Sequence, residues 1–108
     1  MSASLSPMEQ AIVELVAKEN WPGFRTNCLR VTKREDTGVG RYVHFEDACQ
    51  QMLVDGSYGA QGRVVEMRGI QHGLYFVIEV SSSRIEYLEL VTGGGDSWDG
   101  VERDWNIV

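Results

Sequence analysis

The segment LVTGGGDSWDGVERDW, from Leu90 to Trp105, has the residue types of a binding loop. Its three consecutive glycines could hold a phosphate, but phosphate loops also need a helix N-terminus and usually a lysine after the glycines. Here acids follow, and the nearest base is Arg103, so the Coulomb energy disfavours a phosphate. The dinucleotide pattern G-x-G-x-x-G also fails, because Trp98 stands at the position of its last glycine.

The acids of this segment are hard oxygen ligands of the kind that calcium takes: Asp96, Asp99, Glu102 and Asp104. Their spacing differs from that of an EF-hand loop, and no helical pattern flanks them. We therefore predict a turn in which the glycines allow positive φ and Trp98 and Trp105 cover one end of a sheet. A calcium site at the four acids is the weaker alternative, and we expect no metal and no cofactor.

Two cysteines and two histidines could in principle form a zinc site or a catalytic pair. Structural zinc sites use close ligand pairs, whereas this chain offers only His44 and Cys49, five positions apart. Ser81, Ser82 and Ser83 lack the pattern around a nucleophilic serine. We therefore predict no catalytic residues and a non-enzymatic protein.

The N-terminal stretch lacks the features of a secretory leader, because Glu9 and Glu14 interrupt its apolar positions and no basic segment precedes them. No apolar run approaches the roughly 20 residues that cross a bilayer. These observations predict a cytoplasmic protein without a membrane partner. In a reducing compartment Cys28 and Cys49 would be free thiols, buried as small apolar side chains.

Charge is unevenly distributed along the 108 residues, whose net charge is −6. Residues 1–45 contain six bases and five acids, while residues 46–108 contain four bases and eleven acids. A predicted hairpin in the first part interleaves bases with aromatic residues, as surfaces that bind single-stranded nucleic acid do. The candidate residues for this function are Arg25, Arg30, Lys33, Arg34, Arg41 and Tyr42.

The periodicity of apolar residues predicts one helix followed by strands. Ser6 to Glu9 form a capping-box pattern, and apolar residues then recur at helical spacing up to Val16. Residues 24–33 and 41–45 alternate as strands, and a short helix is predicted in EDACQQMLVDG, residues 46–56. Three more strands follow in RVVEMRG, LYFVIEV and RIEYLELVT, and DWNIV is a short edge strand.

These elements predict a single α+β domain over residues 1–108: an amphipathic helix packed on a bent antiparallel sheet of five or six strands, with a short inserted helix. The order of one helix followed by strands resembles the Sm-like small barrels in outline, without matching motif residues. A closed Sm-like or SH3-like barrel is therefore the alternative fold.

The favoured function is a non-enzymatic protein that acts by self-association or by binding another protein. We expect a homodimer, since a small domain gains by burying surface and aromatic residues are enriched at interfaces. The candidate interface residues are Trp98, Trp105, Ile107 and Val108. The alternatives are a single-stranded nucleic-acid-binding module of Sm-like type and a small-molecule binder or minor enzyme.

Overall fold

A computed structural model of the chain describes residues 4–108 and has an α+β fold, in which one helix packs on a seven-stranded antiparallel sheet. The helix α1 spans Pro7–Asn20. The strands are β1 Leu29–Asp36, β2 Gly40–Asp47, β3 Gly56–Tyr58, β4 Val65–Met67, β5 Ile70–Ser81, β6 Arg84–Thr92 and β7 Asn106–Ile107. The first residues of the stretch from which the absence of a leader was predicted lie outside the described range.

The capping box predicted for α1 is confirmed. The Ser6 hydroxyl accepts a hydrogen bond from the Glu9 N–H at 3.2 Å, and the Ser6 N–H donates to Glu9 Oε1 at 2.8 Å. Residues of one helix face are buried in the core: Met8, Ile12, Val13, Val16 and Ala17. Burying this face against the sheet stabilises a helix of this length, which would be marginal alone.

We expect Ser6→Ala to lower the free energy of unfolding by about 1 kcal/mol, because the Glu9 N–H loses its acceptor. Urea denaturation of the variant against the parent measures this loss. Ser97→Ala, which removes a hydroxyl from an exposed loop residue, is the matched control. Equal midpoints for the two variants would show that the cap contributes nothing.

The sheet runs in the order β1-β2-β6-β5-β4-β7, and β3 pairs with β5 beside β4. The strands β1 and β7 end this order and do not pair, so the sheet is open rather than the closed barrel of the alternative prediction. The predicted C-terminal edge strand is confirmed as β7. The additional strand, β3, lies in a segment that the sequence predicted as a flexible connection, because three residues are too few to reveal an alternation.

The strand β5 alternates as its sequence predicts: Leu74, Ile78 and Val80 are buried and Phe76 packs against the core, while Tyr75, Val77 and Glu79 face the other way. The irregular alternation of β6 arises from a register shift against β5, where Glu79 pairs with Tyr87 and Val80 with Ile85. Glu86 is thus an extra residue at a bulge, which restores the burial of Ile85.

The short helix predicted in residues 46–56 is wrong. The segment forms turns after β2, where Asp47 accepts hydrogen bonds from the backbone N–H groups of Cys49 and Gln51, each at 3.0 Å. An aspartate that bonds to nearby backbone groups stabilises a turn as readily as a helix N-terminus, so the capping pattern was ambiguous. Within this segment Met52 is exposed and Leu53 is partly buried.

The prediction of free thiols is also wrong, because Cys28 and Cys49 form a disulfide with their Cα atoms 5.6 Å apart. Antiparallel pairing of β1 with β2 places Leu29 opposite Asp47 and so brings the adjoining cysteines together. Since lasting disulfides are rare in reducing compartments, the pairing does not favour the predicted cytoplasmic location, which stays a prediction. No helix within residues 4–108 has the length and apolar character to span a bilayer.

Candidate functional site

The glycine-rich stretch forms the predicted turn and packs against His72. Gly93–Gly95 make one 3-10 turn, in which Gly94 has a φ of 64°. A Cβ on Gly94 would lie 2.6 Å from His72 Nδ1, so the histidine ring occupies the space of the missing side chain. Asp96 Oδ2 accepts from the His72 N–H at 2.8 Å, and both Asp96 oxygens lie 3.2 Å from Nδ1.

The four acids proposed as calcium ligands point to four different partners. Each contacts its own basic residue or histidine: Asp96 contacts His72, Asp99 contacts Arg103, Glu102 contacts Arg41 and Asp104 contacts Arg68. The hydrogen bond from Arg103 lowers the pKa of Asp99 to about 2. Among residues 4–108, the one group of potential metal ligands that converges is Cys28, Asp47 and Cys49, where both sulfurs are in the disulfide. The four acids therefore do not converge on one point, as a calcium site would require.

A buried ion network joins α1 to the hairpin of β1 and β2. Glu9 is fully buried and receives Arg34 in a two-point contact, at 2.9 Å from Nε to Oε2 and 2.6 Å from Nη2 to Oε1. Arg41, also buried, donates from Nη1 to Glu9 Oε2 at 3.1 Å. Burial alone would raise the pKa of Glu9, but hydrogen bonds from Arg34 and Ser6 and the two positive charges hold that pKa below its ordinary value.

The same arginine reaches the C-terminal segment. Arg41 donates from Nη1 to Glu102 at 2.9 Å, from Nε to Asp36 at 3.1 Å, and from Nη2 to the Gly100 carbonyl. The Trp98 ring lies over its guanidinium, with Cζ 4.8 Å from the ring centroid. This arrangement uses every nitrogen of Arg41 inside the protein, so the network holds three chain segments together and does not present a free cation.

The residues predicted to bind nucleic acid do not form one basic surface. Arg34 and Arg41 contact Glu9, Lys33 lies 3.3 Å from Glu35, and Arg30 donates to main-chain carbonyls. Arg25 is exposed and precedes β1 in the sequence. The Tyr42 hydroxyl donates to Glu89 at 3.0 Å. Most of this positive charge is therefore compensated by carboxylates of the same chain.

The residues predicted for an interface differ in their exposure. Trp98 is 4% exposed and donates its indole N–H to the Val101 carbonyl at 2.9 Å, so its ring packs inside the chain as a lid on Arg41. Trp105 and Ile107 are partly buried against the core, and Val108 is 43% exposed. The exposed part of this set is thus confined to the edge formed by β7.

One face of the sheet points away from α1, and we call it the open face. It carries aromatic, charged and apolar side chains. Its members come from β1, β2, β5 and β6: Lys33, Glu35, Tyr42, His44, Tyr75, Val77, Glu79, Tyr87, Glu89 and Val91. Each alternates along its strand with a residue that faces the core or the helix side. The open face is therefore a direct result of strand alternation in a sheet covered by one helix.

An aromatic cluster occupies the part of the open face on β2 and β6. Tyr42 and Tyr87 meet edge to face with centroids 5.5 Å apart, and the His44 ring lies 6.0 Å from Tyr87 and 6.5 Å from Tyr42. On β5 and β6, Tyr75 pairs with Val91, and both side chains are exposed. The open face thus carries an aromatic cluster on β2 and β6 and an exposed apolar pair on β5 and β6.

Carboxylates lie among these aromatic side chains: the register places Glu89 between Tyr42 and Val77. Glu35 lies 3.0 Å from His44 Nε2 and pairs with Lys33, and the hydrogen bonds from Lys33 and then His44 lower its pKa. Glu89 accepts from the Tyr42 hydroxyl, and this bond raises the pKa of Tyr42 because it favours the protonated phenol. Aromatic area beside polar groups is typical of the centres of protein interfaces.

Sequence reasoning missed the open face, although its signal was present in the alternation of β5. From sequence, Tyr75 and Val77 on the second face of β5 are also typical of a central strand covered on both sides. In the structure β5 is central, but the described residues cover only one of its faces. The alternation identified the face correctly, while its exposure depended on where the single helix packs.

Neither a protein-family model, nor a characterised protein, nor a solved structure matches this chain. A function is therefore inferred from the chemistry of its surfaces.

Proposed function

We propose that this protein is a non-enzymatic binding protein that associates with another protein through the open face. The observation that carries this proposal is the group of aromatic and apolar side chains that the described residues leave exposed on the open face. Tyr75 and Val91 are cross-strand neighbours that are 54% and 40% exposed. Contiguous apolar area of this kind, bordered by polar groups, marks interaction sites on soluble proteins.

The alternative functions have less support from the charges and contacts. Single-stranded nucleic acid needs bases free to neutralise phosphates, but Arg34 and Arg41 are bound to Glu9. A small-molecule binder would use an enclosed site, whereas the clustered tyrosines lie on a broad sheet surface. A protein partner fits an extended surface of this composition better.

The test uses the double variant Tyr75→Arg/Val91→Arg, which changes two exposed residues of the open face. Met52→Arg/Val101→Arg, which changes two exposed apolar residues elsewhere, is the matched control. We expect the parent and the control to capture the same protein from an extract of the native cells, and the open-face variant to lose it. The captured protein, once purified, should bind the parent directly with the same dependence. Equal binding to both variants would overturn the proposal.

A second candidate is self-association at the C-terminal edge, the predicted homodimer. The specific observation in its favour is that β7 pairs with β4 on one side only and ends at the exposed Val108. Unpaired strand edges can add a strand from a second copy. Equilibrium sedimentation of the same variants separates the candidates, because an edge dimer would survive the open-face changes and dissociate when residues 105–108 are deleted. A monomer at low and high salt would exclude it.

A further inference from the structure

Two carboxylates at the centre of the open face have no positive partner among residues 4–108. Glu79 accepts a hydrogen bond from the Ser57 hydroxyl at 2.5 Å, and Glu89 accepts one from the Tyr42 hydroxyl at 3.0 Å. Within residues 4–108, neither of the two takes part in an ion pair. By contrast, the acids of the C-terminal segment each have a base or a histidine.

The strand register places these two acids beside each other. Glu79 pairs with Tyr87 and Glu89 pairs with Val77, so the acids are diagonal neighbours on β5 and β6. Diagonal neighbours on one face of an antiparallel pair lie about 7–8 Å apart, close enough for one guanidinium or ammonium group to contact both. Tyr87 and Val77 complete a square of two carboxylates, a ring and an apolar side chain.

Both acids are partly buried, which makes their uncompensated charge significant. Charges next to a low-dielectric surface are screened less by salt than fully exposed ones. No base among the described residues compensates the two acids, and residues 46–108 contain four bases against eleven acids. A cation from outside the chain would therefore gain both an ion pair and a ring face at this place.

This inference rests on the proposed function: we infer that the partner is a protein with a cationic contact surface, whose arginine side chains bind over Glu79 and Glu89 and stack on Tyr87. Arginine fits better than lysine, because its planar guanidinium stacks on rings and donates to carboxylates at two points. The same charges oppose nucleic acids and anionic membranes, since both present phosphates to the protein.

The test titrates the full chain with four synthetic twelve-residue peptides of glycine and serine, which differ in whether four positions hold arginine, lysine, glutamine or glutamate. A single-stranded oligonucleotide is a fifth probe. Backbone amide shifts report where each probe binds. We expect shifts of β5 and β6 with the arginine peptide, a dissociation constant about two- to fivefold lower than for the lysine peptide, and weaker binding at higher salt.

The matched variants are Glu79→Gln/Glu89→Gln, which keeps the side-chain shape, and Glu14→Gln/Glu19→Gln, which changes two exposed acids of α1. The first variant should raise the dissociation constant of the arginine peptide at least about tenfold, which corresponds to the loss of one charged hydrogen bond or more. The second variant should leave that dissociation constant unchanged. Shifts of the open face by the glutamine or glutamate peptide or the oligonucleotide, or no shift with any peptide, would overturn the inference.

Failure here remains distinguishable from failure of the proposed function. If the captured protein still depends on Tyr75 and Val91 while cationic peptides do not bind at Glu79 and Glu89, the open face is an interaction surface for a partner of different chemistry. If that dependence on Tyr75 and Val91 is also absent, the proposed function is wrong as well.

Discussion

Glu9→Gln should lower the free energy of unfolding by about 3–5 kcal/mol, the loss expected when one partner of a buried ion pair is removed. The fully buried carboxylate of Glu9 is shared by Arg34 and Arg41, so its removal leaves the buried guanidinium of Arg41 with weaker compensation. Glutamine can still reach back to the Ser6 N–H, so the capping box is kept and the change reports on charge. The loss is large against a typical total of about 5–15 kcal/mol.

Urea denaturation at neutral pH measures this loss, and Glu14→Gln is the control because Glu14 is an exposed acid of the same helix. The difference between parent and Glu9→Gln should also depend on pH in one direction. The folded-state pKa of Glu9 lies below its ordinary value of 4.5, so its stabilisation is complete above that value and is lost as the pH falls through the folded pKa. The parent and the variant should therefore converge in acid. Equal midpoints at neutral pH for the two variants would contradict the role of the network.

The network also explains where the C-terminal segment lies on the sheet. Arg41 donates hydrogen bonds to Glu102 and to the Gly100 carbonyl, and the Trp98 ring lies over its guanidinium. The chain between β6 and β7 is therefore held on the helix side of the sheet. The opposite face is left without a cover by the described residues. The position of the open face thus follows from the same contacts that the Glu9 variant would weaken.

The local features of the fold could be predicted from the sequence. The cap of α1 depends on residues three positions apart, and the two faces of β5 depend on simple alternation, so both were predicted correctly. The turns after β2 were missed because an aspartate can bond to backbone groups either in a turn or at a helix start. The disulfide was missed because free thiols were predicted from a reducing compartment, whereas the proximity of Cys28 to Cys49 depends on the register of β1 against β2, which the sequence does not determine.

The candidate site was harder to predict, because it depends on packing between distant segments. The basic hairpin suggested free positive charge, but Glu9 lies 25 positions before Arg34 and 32 positions before Arg41. The acids near the C-terminus suggested a shared ligand set, but three of them pair with distant residues: Arg41 on β2, Arg68 in the turn after β4, and His72 on β5. Composition therefore identified the charged groups, and only the tertiary contacts showed which of them are compensated.

Reduction of the disulfide between Cys28 and Cys49 should lower the free energy of unfolding by about 3 kcal/mol. A cross-link over a separation of 21 positions restricts the unfolded chain, and the entropy gained on opening a loop of this size corresponds to about that value. A backbone hydrogen bond beside the cross-link adds to this loss of stability: the Ala48 N–H donates to the Cys28 carbonyl at 3.0 Å. Urea denaturation with and without a dithiol reductant measures the difference.

The double variant Cys28→Ala/Cys49→Ala separates the cross-link from other effects of the reductant. Its free energy of unfolding should match that of the reduced parent, apart from the small effect of the lost side-chain volume. The reductant should not change that free energy further. Hydrogen exchange should increase first in the turns of residues 48–55, because β1 and β2 keep their own backbone pairing after reduction. A reduced parent that unfolds at the same urea concentration as the oxidised one would show that the cross-link does not stabilise this fold.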